Sequence, residues 1–165
     1  MLTKKAVILG LALLLSACGY HLRGAFQLPE NMKTAYIEGS SGPLLEQFRQ
    51  VLKASSANLS SSRIGAGIVI KIANEEFNRR VVSLSSGGKS NEVELEYRLD
   101  YELANAKDAL LMARQTVEIR REYYNDQTVV IAKENEENVI RNEMYLQAVH
   151  TILNRARVVL EAGAK

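Results

Sequence analysis

The segment that most restricts what this chain can build runs from Val93 to Leu103. Val93, Leu95, Tyr97, Leu99, Tyr101 and Leu103 alternate without interruption with Glu94, Glu96, Arg98, Asp100 and Glu102. A strict period of two specifies a strand with one face in a core and the other in water. Such a strand is not stable alone; it needs neighbours and a cover for its apolar face. After a turn at Asn105-Ala106-Lys107-Asp108, Leu111, Ala113, Val117 and Ile119 alternate with Arg114, Glu118, Arg120 and Glu122, the pattern of an antiparallel partner. Charge selects the register. With Glu102 opposite Arg114, Arg98 opposite Glu118 and Glu96 opposite Arg120, one face carries opposite-charge pairs. The other face then sets Leu99 against Val117, Tyr97 against Ile119 and Val93 against Tyr123. Sliding the strands brings like charges into opposition, which destabilises the ladder. The charged face is therefore expected to stay hydrated, with its charges largely neutralised by their neighbours.

Upstream, Lys33 to Glu38 reads as a short strand ended by Gly39-Ser40-Ser41-Gly42. Pro43 opens a helix whose apolar positions Leu44, Phe48, Val51 and Leu52 share one face, widened by Leu45. Ser55 to Ser62 is serine-rich and reads as a loop. Gly67 to Ala73 starts a strand that continues through Val82 with an irregularity near Asn74-Glu75-Glu76. From about Lys133 to Leu160, Ile140, Met144, Ala148, Ile152, Ala156 and Val159 recur at helical spacing, with Glu134, Glu136 and Glu137 in the opening turns. The order is β-α-β-β-β-α. The strand-helix-strand crossover makes its strands parallel, whereas the later strands, joined by short turns, are antiparallel. The expected fold is α+β, a mixed four-stranded sheet with two helices packed on one face. No internal repeat or linker separates a second domain.

The N-terminus has a different grammar. Lys4 and Lys5 precede an apolar run, Ala6 to Leu15, that is about half the ~20 residues needed to span a bilayer. Leu15-Ser16-Ala17-Cys18 follows, which is the pattern of a lipobox. Residues 1–17 read as a lipoprotein signal peptide and 18–165 as a single mature domain beginning at Cys18, the only cysteine of the chain. Without Lys4 and Lys5 the basic side chains equal the 19 Asp and Glu, so the basic footprint of a nucleic-acid-binding domain is absent. In bacterial lipoproteins, which this N-terminus resembles, the cysteine carries a thioether-linked diacylglycerol and an amide-linked acyl chain. Anchoring through them is stable because two chains already suffice. Gly19 stands where an Asp would signal retention in the inner membrane, which favours the outer membrane.

Catalytic motifs fail on inspection. A single Cys and two His, His21 and His150, exclude multi-cysteine metal centres and a three-histidine zinc. No other metal or cofactor is implied. Ser83 to Ser90 ends like a phosphate-binding loop, but Ser83 occupies the position of its first glycine and a strand is expected to follow. It reads as a hairpin loop. No G-x-S-x-G is present, and carboxylates such as Glu94 and Glu96 belong to a regularly charged strand face. The chain is not read as an enzyme.

Cys18-Gly19-Tyr20-His21-Leu22-Arg23-Gly24, followed by Leu28-Pro29, resembles the mature N-terminus of the LPS-assembly lipoprotein family, LptE. Tyr123-Tyr124-Asn125-Asp126, Ala132-Lys133-Glu134-Asn135-Glu136 and Glu143-Met144-Tyr145 resemble the family's later motifs at the same spacing. The resemblance implies a non-enzymatic part of the lipopolysaccharide export machinery. It would be a plug in the lumen of the LptD outer-membrane β-barrel that assists the barrel's assembly and binds lipopolysaccharide. A phosphate-bearing ligand calls for cations at strand tips and helix starts. Lys133 is the first candidate, followed by Lys89, Arg79 and Arg80 around the connection between the second and third strands. The rival expectation is an outer-membrane lipoprotein acting as scaffold or pilotin for another barrel or secretin, with no lipid ligand.

Overall fold

A computed structural model describes residues 28–40, 42–84, 90–124 and 130–163. After a short 3-10 turn, Glu30–Met32, the elements are β1 (Thr34–Glu38), α1 (Gly42–Ala54), β2 (Asn58–Leu59), β3 (Ile68–Leu84), β4 (Ser90–Ala104), β5 (Leu110–Tyr124) and α2 (Val130–Gly163). The sheet has five strands in the order β2-β1-β3-β4-β5. β1 is parallel to β2 and β3, while β3, β4 and β5 are antiparallel. The class is the expected α+β, with one strand more than expected. β2 lies inside the serine-rich segment and is held by Asn58 N–H to the Lys33 carbonyl (2.8 Å) and Ser60 N–H to the Ala35 carbonyl (2.7 Å). Two residues are too few to leave a periodic signal.

The inward residues of β4, from Val93 to Leu103, are all buried, and they share one core with Leu44, Phe48 and Leu52 of α1 and Met144, Ala148, Ile152 and Ala156 of α2. Both helices thus cover the same face. α2 extends beyond its expected ends and buries Val149 and Leu153 as well. Burial of a side chain such as Leu99, which has no exposed surface, contributes about 1.5–3 kcal/mol.

β3 bends as expected near Asn74. The ladder shifts between Ala73 and Glu76, and Asn74 takes a positive φ of 49°. The inserted residue switches the facing parity of the strand. Ile68, Ile70 and Ile72 face the core before the bulge, whereas Phe77 pairs with Tyr97 after it. β1 reaches only Lys71 of β3, so the far half of β3 projects beyond β1 together with β4 and β5.

The β4–β5 register agrees with the charge argument along most of its length. Arg98 is opposite Glu118, Glu96 opposite Arg120, Leu99 opposite Val117, Tyr97 opposite Ile119 and Val93 opposite Tyr123. It departs at the turn end, where the ladder shifts and Leu103 pairs with Met112. The expected Glu102–Arg114 pair is therefore absent, and Glu102 instead meets Lys71 at 3.1 Å. The shift also leaves Leu111 and Ala113 exposed and packs Met112 against the core.

The open face of the sheet carries rows of charge. Lys71 lies between Glu38 and Glu102, Arg98 between Glu76 and Glu118, Glu96 between Asn78 and Arg120, and Glu94 between Arg80 and Glu122. Asp100 accepts hydrogen bonds from Asn74 Nδ2 (2.8 Å) and Thr116 Oγ1 (2.7 Å). One small apolar cluster of Ala66, Val69 and Ala104, with Tyr36 packed on it, interrupts this face beside β1. The expected local neutrality is incomplete: Glu94 and Glu122 are directly opposite each other, an opposition that the pairs used to choose the register leave out.

Candidate functional site

The projecting ends of β3, β4 and β5 meet the start of α2, and of the sequence candidates Arg79 and the backbone of Lys133 share this corner. Strand parity separates two adjacent arginines. Arg79 is opposite the buried Leu95 and faces the helices, whereas Arg80 is opposite Glu94 and lies on the open face.

On the helix side Glu137 collects three partners. Its Oε2 accepts from the Tyr123 hydroxyl at 2.6 Å and from Arg79 Nε at 3.2 Å. Its Oε1 accepts from Arg141 at 2.6 and 3.0 Å, one helical turn away. Burial pushes the Glu137 carboxyl up, but the hydrogen bonds from Tyr123, Arg141 and Arg79 outweigh it and hold the group below its ordinary value. The Arg141 guanidinium also stands 4.0 Å from the centroid of the Phe77 ring, a cation–π contact. Phe77, Tyr97 and Tyr145 continue this into an aromatic cluster, with Tyr97 and Tyr145 edge-on at 4.8 Å. The Tyr97 hydroxyl donates to Glu75 at 2.9 Å, and burial raises its pKa.

On the open face Arg80 Nε meets Glu94 Oε1 at 2.6 Å. The hydrogen bond from Arg80 lowers the Glu94 pKa, and Glu94 raises that of Arg80. Arg79 and Arg80 thus cannot serve one compact site, and each already has a carboxylate partner.

Lys133 is the fourth residue of α2, one turn before Glu137, so its backbone belongs to the same corner as Arg79. Lys89 and Cys18 lie outside the described residues. Ser90 starts a strand, not a helix, so the segment resembling a phosphate loop lacks the helix N-terminus that phosphate binding requires. His150 is half-buried on α2, where burial lowers its pKa.

Sequence reasoning missed the junction formed by Glu137, Tyr123 and Arg141. Two signals for it exist in the chain: the i, i+4 spacing of Glu137 and Arg141, and the Tyr123-Tyr124 pair at the strand exit. Among the described residues no group of His, Cys, Asp and Glu is placed to hold a metal ion, and no helix is long and apolar enough to cross a membrane. The corner offers a fixed set of cations, carboxylates and aromatic rings suited to binding.

The sequence model of the family described as LptE: Lipopolysaccharide-assembly matches residues 30–156. The LPS-assembly lipoprotein LptE of Photorhabdus laumondii is 28% identical over 94% of this chain and 86% of its own length. That of Yersinia enterocolitica is 29% identical over 96% of this chain and 78% of its own. Among solved structures, lipoprotein B of Nitrosomonas europaea is 26% identical and superposes with a TM-score of 0.71, covering 88% of this chain and 94% of that one. The rare lipoprotein B of Shewanella oneidensis, 21% identical, shares the fold with a TM-score of 0.63 over 79% of this chain and 98% of its own. The family match spans the fold from the turn before β1 into the last third of α2, and by it the chain belongs to the LptE family of lipopolysaccharide-assembly lipoproteins.

Proposed function

We propose that this protein is an outer-membrane lipoprotein of lipopolysaccharide export. Residues 1–17 are removed, Cys18 is acylated, and the domain formed by residues 18–165 seats in the lumen of an LptD-type β-barrel, assists its assembly and binds lipopolysaccharide on its way to the surface. Its role is to bind and to hold, with no catalytic step. The observation that carries this reading is the family match across residues 30–156, reinforced by relatives named LPS-assembly lipoprotein over nearly the whole chain.

The physics of the fold is compatible with that placement. A sheet face built from charged rows stays hydrated and suits a water-lined lumen better than acyl chains. A lipid anchor at Cys18 would keep the domain beside the barrel at high effective concentration. For phosphates of the ligand, the corner at the start of α2 is the favoured contact, with Lys133 and Arg79 as its cations and Lys89 on the neighbouring strand connection. Arg80, turned to the other face and paired with Glu94, is the least suited.

Purification of the full-length protein from detergent-solubilised outer membranes tests the reading. An LptD-type barrel is expected to co-purify, and the soluble domain is expected to capture lipopolysaccharide. A secretin or a different barrel in its place, with no capture of lipopolysaccharide, would establish the scaffold or pilotin role instead.

A further inference from the structure

The charge on the open face is not balanced. In the rows beyond Asp100, the sheet presents Glu76 from β3, Glu92, Glu94 and Glu96 from β4, and Glu118 and Glu122 from β5. Only Arg80, Arg98 and Arg120 oppose these carboxylates on the same face. The formal charge of the whole chain is +2, so the acid excess is a property of this face and not of the composition. The arginines do not remove it. Arg80 is committed to Glu94 at 2.6 Å, and Arg120 is shared between Glu96 at 3.0 Å and Glu118 at 2.6 Å. Among the described residues no cation lies within ion-pair distance of Glu76 or Glu122, and Glu92 has only the Ser83 hydroxyl, at 2.8 Å.

A rigid three-stranded surface with surplus negative charge attracts cationic surfaces and repels phosphates. We infer that the open face of β3, β4 and β5 beyond Asp100 is a docking surface for a cation-bearing wall of the partner barrel, with lipopolysaccharide phosphates bound elsewhere on the domain. This rests on the barrel-plug reading above and adds which face meets the wall and what side chains the wall must carry. The twofold excess of carboxylates gives that wall lysines or arginines opposite Glu76, Glu92 and Glu122, the groups with no cation in ion-pair contact.

The test co-expresses the full-length protein with the LptD-type barrel of the same genome and measures barrel recovered on the tagged protein in detergent. The triple variant Glu76→Lys, Glu92→Lys, Glu122→Lys reverses the sign of the face at solvated positions. Recovery should fall at least tenfold at low salt, with the circular dichroism spectrum unchanged. The neutral triple, each Glu→Gln, should give an intermediate loss and guards against misfolding of the first. A control with the same change in net charge off the face, Glu30→Lys, Glu143→Lys, Glu161→Lys, should recover barrel as the wild type does. Wild-type recovery should also decline as ionic strength rises, because exposed charges are screened over about 8 Å at physiological salt. Equal recovery by the reversed and wild-type proteins at low salt would overturn the inference while leaving the plug reading intact. Equal losses in the reversed and control triples would overturn it too, by showing that net charge alone matters. Failure of the wild type to recover any barrel would overturn the plug reading, and the inference with it.

Discussion

The Tyr123 hydroxyl donates a 2.6 Å hydrogen bond to Glu137 Oε2, the oxygen that also accepts from Arg79 at 3.2 Å. One carboxylate on α2 thereby holds the ends of β3 and β5 against the helix start. The contact lies outside the long central part of the core, so its loss is expected to be felt locally before it is felt globally.

Tyr123→Phe removes that hydroxyl and keeps the ring in place. A hydrogen bond to a charged acceptor is worth about 1.5 kcal/mol, which at this size corresponds to a fall in melting temperature of about 3–6 °C. Thermal unfolding by circular dichroism reads it. An unchanged midpoint would show that water replaces the hydroxyl without loss.

Acid should weaken the same junction. The native pKa of Glu137 lies below its unfolded value of 4.5, so its stabilising contribution is fully present above that value and is lost as pH falls through the lower native one. Glu137→Gln should lower stability at neutral pH and flatten part of the acid limb below the unfolded value of 4.5. Urea titrations at several pH values measure both effects. An acid limb of unchanged slope would assign the dependence to other carboxylates, such as Asp100, whose pKa is also lowered.

Gly39→Ala should be costly for backbone reasons alone. Gly39 has a φ of 81°, and a Cβ there would stand 2.2 Å from the Ile72 carbonyl oxygen. Left-handed strain costs about 1–3 kcal/mol, and the collision adds to it by pressing β1 away from β3. A denaturation midpoint close to that of the wild type would show that the turn relaxes freely.

Lys133→Glu should weaken lipopolysaccharide capture by the soluble domain and leave its melting temperature within about 2 °C. A carboxylate in the opening turns of α2 is favourable to the helix dipole, so the helix itself is not penalised. Unchanged capture in a direct binding assay would remove Lys133 from the ligand site.

Cys18→Ser should abolish acylation, since serine lacks the thiolate that takes the diacylglycerol. Metabolic labelling with radioactive palmitate decides this. Label retained on the variant would refute the lipoprotein reading of the N-terminus.

The sequence by itself determined which residues of β4, of α1 and of the central part of β5 face the core. The alternation from Val93 to Leu103 named the buried set of β4, and Leu44, Phe48, Val51 and Leu52 named that of α1, because side-chain direction follows from backbone period alone. It also determined the β4–β5 register away from the turn, since Arg98–Glu118 and Glu96–Arg120 oppose correctly in only one alignment. The family was legible too, in motifs that sit at the strand exit and the start of α2.

Only the tertiary structure decided where period gives way. The bulge at Asn74 inserts one residue without changing composition and reverses the facing of β3 from Glu76 to Val81, which is why Phe77 is inward and why Arg79 faces the helices and Arg80 the open face. A similar shift near Leu103 exposed Leu111 and Ala113 and gave Glu102 to Lys71 in place of Arg114. The Glu137 junction joins residues 58 and 14 positions apart to one carboxylate, a contact set by how α2 lies across the sheet. The acid excess on the open face is only partly of this kind. β4 alone carries most of it, with Glu92, Glu94 and Glu96 against Arg98, but only the register shows that Arg80 and Arg120 on the neighbouring strands are taken up by Glu94, Glu96 and Glu118 and leave Glu76, Glu92 and Glu122 without an ion pair.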